Sequence, residues 1–170
     1  MSIIKKITIL LGIFFISGVA KVSAQEIKKI GKYKDWEAMV VMDAGGKVCF
    51  AQSLPILQAP KTNKRDAKLF VAFRPNDNIK NEVSVTPGYE FNKNNSVTAA
   101  SGKNKFKFDI KEQGFAWIAD NKIELKMIKQ MRKGSRIMIT GYNQQGSQTI
   151  DHYSLLGFTK AYNASRKACS

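Results

Sequence analysis

Histidine and cysteine are scarce in this chain: one His, at position 152, and two Cys, at 49 and 169. Zinc sites gather three or four ligands at close spacing, and two distant cysteines with one histidine do not supply them. No metal site and no cofactor is expected. Acidic residues are few, 13 against 28 Lys and Arg. They fall singly, without the paired carboxylates of glycoside hydrolysis. A phosphate loop is missing as well, because Ala44-Gly45-Gly46-Lys47 is followed by Val48 where the loop needs Ser or Thr. That stretch reads as a turn. No G-x-S-x-G elbow presents a nucleophilic serine. The chain also lacks repeats, low-complexity tracts and any Pro/Gly/Ser-rich linker, which leaves nothing to divide it.

Long apolar runs are confined to the start, MSIIKKITILLGIFFISGVAKVSA. Lys5 and Lys6 precede an apolar stretch from Ile7 to Ala20, and Val22-Ser23-Ala24 places small residues before a cleavage point. This is the layout of a secretory signal peptide, and the stretch is shorter than the ~20 residues of a membrane span. Residues 1–24 are therefore expected to be removed, with no transmembrane segment afterwards. The protein is then periplasmic, outer-membrane-associated or secreted. Removal takes three lysines and no acid from a net charge of +15, leaving +12 on 146 of the 170 residues. That length suits one domain, and such a balance favours anionic partners. In an oxidising compartment an even cysteine count predicts a disulfide, here Cys49–Cys169.

Residues 25–34 are polar and read as a flexible lead into a single domain over 35–170. Strands are expected at 36–42, 47–53, 69–73, 81–91, 96–101, 105–110, 115–119, 136–142 and 147–155, with residues 54–67 as an exposed loop. Lys105-Phe-Lys-Phe-Asp-Ile110 alternates, as a strand with one wet face does. The internal helix is NKIELKMIKQMRKG, about 121–133. Asn121 and Glu124 suggest a capping box, Ile123, Met127, Ile128 and Met131 share a face, and Gly134 stops it. A second helix, about 158–169, puts Phe158, Ala161, Tyr162, Ser165 and Cys169 on one side. Short strands with two peripheral helices give a mainly β fold, a β-sandwich or small barrel.

The segment Thr149-Ile-Asp-His-Tyr-Ser154 groups polar residues that suggest catalysis. Strand alternation separates them: Asp151 and Tyr153 face one side, His152 and Ile150 the other. Asp151 cannot orient His152 from there, so no catalytic residue is assigned, and a hydrolase using His152 is kept only as a rival. Lysines interleaved with aromatics at 32–36 and 105–109 imitate single-strand nucleic-acid platforms. Alternating strands give the same pattern, and export removes nucleic acid as a partner.

Several segments together resemble the invasion-associated locus B family: Asp35-Trp36, KVCFAQS (47–53), RPNDNIKNEVSVTPGYEF (74–91), AWIAD (116–120), residues 127–162 and the closing Ala168-Cys169. The most specific are the basic helix with MRKGS and the D-x-Y-S-L-x-G-F-T-x-A run from Asp151. The resemblance implies a small exported envelope protein of Gram-negative bacteria with a mostly β domain, in a family whose founding case is linked to host-cell invasion. It carries over no catalytic residues. The leading expectation is a non-enzymatic, basic envelope protein binding an anionic envelope component or an envelope protein. Its contact surface would be Lys126, Lys129, Arg132, Lys133 and Arg136 at the helix end, with Lys61, Lys64 and Arg65 from the loop. A periplasmic chaperone or assembly factor with a hydrophobic groove is the other rival.

Overall fold

The computed structural model describes residues 26–62 and 64–170, so the expected signal peptide lies outside the described residues. Two sheets face each other. The larger takes β1 (Lys28–Tyr33), β2 (Trp36–Asp43), β3 (Gly46–Ser53), β5 (Lys68–Arg74), β6 (Ile79–Thr86), β10 (Phe115–Trp117) and β9 (Ile110–Glu112), in that spatial order. The smaller takes β4 (Leu57–Ala59), β12 (Gln148–Ser154), β11 (Arg136–Tyr142), β7 (Val97–Ser101) and β8 (Asn104–Phe108). Every strand pairing is antiparallel. Neither sheet closes on itself, so the fold is a sandwich and not a barrel. Helices α1 (Asn121–Lys133) and α2 (Phe158–Ala168) complete it.

Alternation produces the core. Trp36, Ala51, Leu69, Val71 and Val83 point inward from the larger sheet, and Val97, Ala99, Phe108, Ile137 and Tyr153 from the smaller. Met127, Ile128 and Met131 of α1 and Phe158, Ala161 and Tyr162 of α2 join the same cluster. Full burial of such a side chain is worth about 1.5–3 kcal/mol, so one continuous interior holds both sheets and both helices. The Trp36 indole N–H donates to the carbonyl of Ser154 at 2.8 Å, tying the first core strand to the opposite sheet. A buried indole without that acceptor would carry an unmet donor.

The expected disulfide is present: Cys49 in β3 is bonded to Cys169 at the end of α2, with Cα atoms 5.8 Å apart. It closes a loop spanning 120 positions of sequence. Gly157 sets the entry to α2 with φ +92°, a conformation L side chains rarely adopt, and a Cβ there would meet the Tyr33 carbonyl. The β12–α2 corner can therefore sit directly against the end of β1.

Three expectations need correction. Residues 28–33 form edge strand β1, paired with β2, where a flexible lead was expected; alternate polar residues are tolerated because the strand is exposed on most of its surface. The loop at 54–67 contains β4, paired with β12. The helix cap is Asp120, whose carboxylate accepts from the Lys122 N–H at 2.7 Å. Glu124 does not cap. It is buried and accepts from the Val83 N–H at 2.7 Å, where the β10–β6 pairing stops after Trp117↔Ser84.

Candidate functional site: a basic groove between β8 and α1

The two-residue turn Gly102–Lys103 folds β7 onto β8 and leaves β8 as the outer strand of its sheet. α1 runs beside that open edge without pairing to it. Asn104 Nδ2 donates to Gln130 Oε1 at 2.9 Å, bridging strand and helix. The space between them is a groove of about 590 Å3. Phe106 and Ile123, both partly buried against the core, are its apolar lining.

Lysines form most of the rest. Lys105 and Lys107 come from the wet face of β8, and Lys126, Lys129 and Lys133 from α1 at helical spacing. All five are exposed, and none forms an ion pair among the described residues. One carboxylate, Asp109, lines the same groove. Exposed charges are screened beyond about 8–10 Å at moderate salt, so it is their gathering on one groove that gives these lysines a joint effect. Five ammonium groups against one carboxylate give the groove a net positive potential that favours anions.

The structure divides the basic set expected from sequence. Lys126, Lys129 and Lys133 share the groove. Arg132 turns to the other side of α1, where its guanidinium lies 4.5 Å from the centre of the Tyr162 ring. Arg136 is exposed at the start of β11. Lys61 and Lys64 are exposed beyond β4, at the far edge of the five-stranded sheet from β8, so they do not extend the groove. Arg65 is not a free surface cation. Its guanidinium grips Asp151 with both nitrogens, at 2.6 and 3.0 Å, and donates to the Pro87 carbonyl at 3.0 Å. The pair is almost wholly enclosed, with 10% and 4% of the two side chains exposed. Lys105 and Lys107 were legible only as the solvated side of a strand; the signal that places them in a site is the helix that packs alongside.

The Arg65–Asp151 pair underlies a second cavity of about 510 Å3, lined by Tyr89, Glu90, Asn143, Gln144, Gln148 and Thr149 among others. The Tyr89 hydroxyl shares a 2.6 Å hydrogen bond with Thr149 Oγ1, and burial raises the phenol above its ordinary pKa. Most residues lining this cavity carry an amide or hydroxyl side chain.

Three residues of the polar run at the end of β12, Asp151, Tyr153 and Ser154, are engaged within the fold. Asp151 faces the sandwich interior and is committed to Arg65. Tyr153 is buried in the core, and burial beside Asp151 keeps its phenol protonated. Ser154 Oγ accepts from the Leu156 N–H at 3.2 Å, closing the turn into α2. His152 lies on the other face of the strand, opposite Leu57 of β4, so it does not meet Asp151.

Among the described residues no helix is long and apolar enough to cross a membrane, and no cluster of three or more His, Cys, Asp or Glu could hold a metal ion. No curated protein matches the chain. A crystal structure of invasion associated protein B from Bartonella henselae has a similar fold, with a TM-score of 0.55 at 16% identity, covering 86% of this chain and 98% of that one. The family model for invasion associated locus B (IalB) protein matches residues 36–166, from the core tryptophan of β2 to the last turn of α2. By that match this chain belongs to the IalB family.

Proposed function

We propose that this protein is a non-enzymatic binding protein of the cell envelope, exported by its first 24 residues, that contacts an anionic envelope component or an acidic envelope protein through the β8–α1 groove. The observation that carries the reading is the convergence of Lys105, Lys107, Lys126, Lys129 and Lys133 on one groove without compensating ion pairs. A merely solvated surface spreads its charges. Here two separate elements, a strand and a helix, deliver theirs to one place.

Equilibrium binding of polyglutamate, polyphosphate and phosphatidylglycerol vesicles to the purified protein tests this. At least one probe should bind, with affinity falling about tenfold or more between low and physiological salt as the Debye length shortens to about 8 Å. Replacing Lys126, Lys129 and Lys133 together by Gln should weaken binding about tenfold, while the same change at Lys61 and Lys64 should leave it unaltered. Binding indifferent to salt, or lost equally with either set, would refute the assignment.

A second observation favours the assembly-factor reading. The outer face of the seven-stranded sheet carries Phe50, Phe70, Phe115 and Trp117 in a row of edge-on and stacked contacts, each partly exposed. An unfolded client's apolar side chains would lie on this row. Suppression of client aggregation that is lost in Phe70→Ser but kept in the Lys126/Lys129/Lys133→Gln variant would favour it over the groove.

A further inference from the structure

We propose that the groove receives a segment of acidic polypeptide in extended form, which pairs with β8 as an added strand. This rests on the reading of the groove above and goes further, because it specifies main-chain recognition as well as charge.

Gly102, with φ +58°, and Lys103 are the two central residues of the β7–β8 hairpin. A two-residue hairpin closes on a hydrogen-bonded pair, here Ser101↔Asn104. Hydrogen-bonded and non-hydrogen-bonded pairs then alternate along an antiparallel ladder. Ala99↔Phe106 and Val97↔Phe108 are therefore bonded pairs, and Ala100↔Lys105 and Thr98↔Lys107 are not. The N–H and C=O groups of Lys105 and Lys107 consequently point away from β7 into the groove. No backbone hydrogen bond outside the strand ladders reaches either residue among the described residues.

Lysines on an edge strand often serve only to deter pairing with another chain. That purpose would be met by Lys105 and Lys107 alone. It does not account for Lys126, Lys129 and Lys133 on a separate element facing the same space. Together the two elements offer two acceptors, two donors, an apolar floor of Phe106 and Ile123, and a cationic wall.

That combination selects among anions. A phosphate or a lipid headgroup has oxygens for the lysines and for the N–H groups, but it repels the two outward carbonyls. A polypeptide strand supplies alternating donors and acceptors at the spacing of β8. Acidic side chains at every second residue recur about every 6.8 Å along a strand, while Lys126 and Lys133 lie about 10.5 Å apart along the helix axis. Flexible lysine stems absorb the difference. The intervening residues would turn to Phe106 and Ile123, so the segment that fits alternates acidic with apolar residues.

The test uses the disulfide-bonded protein and an N-acetylated, C-amidated Glu-Val-Glu-Val-Glu-Val peptide, measured by isothermal titration calorimetry. A second peptide is identical but N-methylated at every residue, which keeps the charges and removes the donors. The methylated peptide should bind at least about tenfold more weakly, as expected for loss of two hydrogen bonds. Lys105→Pro, which removes an outward N–H without touching the ladder, should bind the unmethylated peptide at least about tenfold more weakly than Lys105→Ala, which removes only the charge. Polyphosphate should not distinguish those two variants. Equal affinity for both peptides in the unaltered protein overturns the pairing, whether or not Lys105→Pro folds. If polyphosphate or vesicles then still bind in a salt-dependent way, the basic-groove reading stands without it. If no anionic probe binds, both readings fall.

Discussion

Glu124 gives the sharpest stability prediction, because a carboxyl group has been placed where a charge is costly. It is 5% exposed, and burial raises its pKa from an ordinary 4.5 to about 7, with the charge of Glu82 pushing the same way and the Val83 N–H pulling back. Glu82 is itself close to Arg74, at 3.7 Å. Below the ordinary value both the native and unfolded chains hold the proton, and Glu124 gives no pH dependence. Between 4.5 and about 7 the native protein keeps a proton that the unfolded chain releases, so stability falls as pH rises through this window. Each pKa unit is worth about 1.4 kcal/mol, which makes the loss about 2–3 kcal/mol by neutral pH. Glu124→Gln keeps a carbonyl for Val83 and never ionises, so its contribution should stay flat. The assay is urea unfolding at pH 5, 6, 7 and 8, followed by tryptophan fluorescence. The Gln variant should gain about 2–3 kcal/mol relative to the parent between pH 5 and 8. Groups such as Glu37, held below the usual range by Lys29, cancel in the difference. Parallel pH curves for the two proteins would refute the reasoning.

Other perturbations should act through named contacts. Replacing Cys49 and Cys169 by Ser should lower unfolding stability by about 4–5 kcal/mol on the chain-entropy estimate for a loop of this size; urea midpoints of the double variant measure it, and no change would refute it. Arg65→Met strands the buried Asp151 carboxylate and should cost about 3–5 kcal/mol, whereas Lys64→Met, one residue earlier and exposed, should fall within about 0.5 kcal/mol of the parent. Equal effects in thermal unfolding would show that the pair is not the anchor described. Gly157→Ala forces a Cβ onto the Tyr33 carbonyl and should lower the thermal midpoint by several degrees, with loss of amide-exchange protection concentrated in β1; protection unchanged in β1 would contradict the close approach.

Much of this architecture was readable because strand alternation and helix period are local. The pattern Lys105-Phe106-Lys107-Phe108 assigned its own wet and dry faces, and Met127, Ile128 and Met131 declared the buried side of α1. The inward placement of Cys169 followed from the spacing of Phe158, Ala161, Tyr162 and Ser165. What sequence hid was tertiary substitution. Glu124 looked like the partner of a cap because it stands three residues after Asn121, yet the helix begins one residue sooner and the carboxylate replaces a missing strand neighbour for Val83. Arg65 looked like one more basic residue in KTNKRD, and only the fold brings it across 86 positions to Asp151. The candidate site was half legible for the same reason: α1 advertised its lysines, but nothing local says that β8 lies beside them or that Lys61 and Lys64 stand at the opposite edge. Residues 28–33 misled in the other direction, since an exposed edge strand lacks the apolar alternation that announces an interior one.

If anions bind in the β8–α1 groove, backbone amide shift mapping will locate them there. Polyglutamate titrated into the isotope-labelled protein at low salt should shift amides of residues 104–109 and 122–133 most, with the shifts reversed by added salt. Largest shifts at 57–66 and 143–149, around the amide-lined cavity and the β4 loop, would contradict the account.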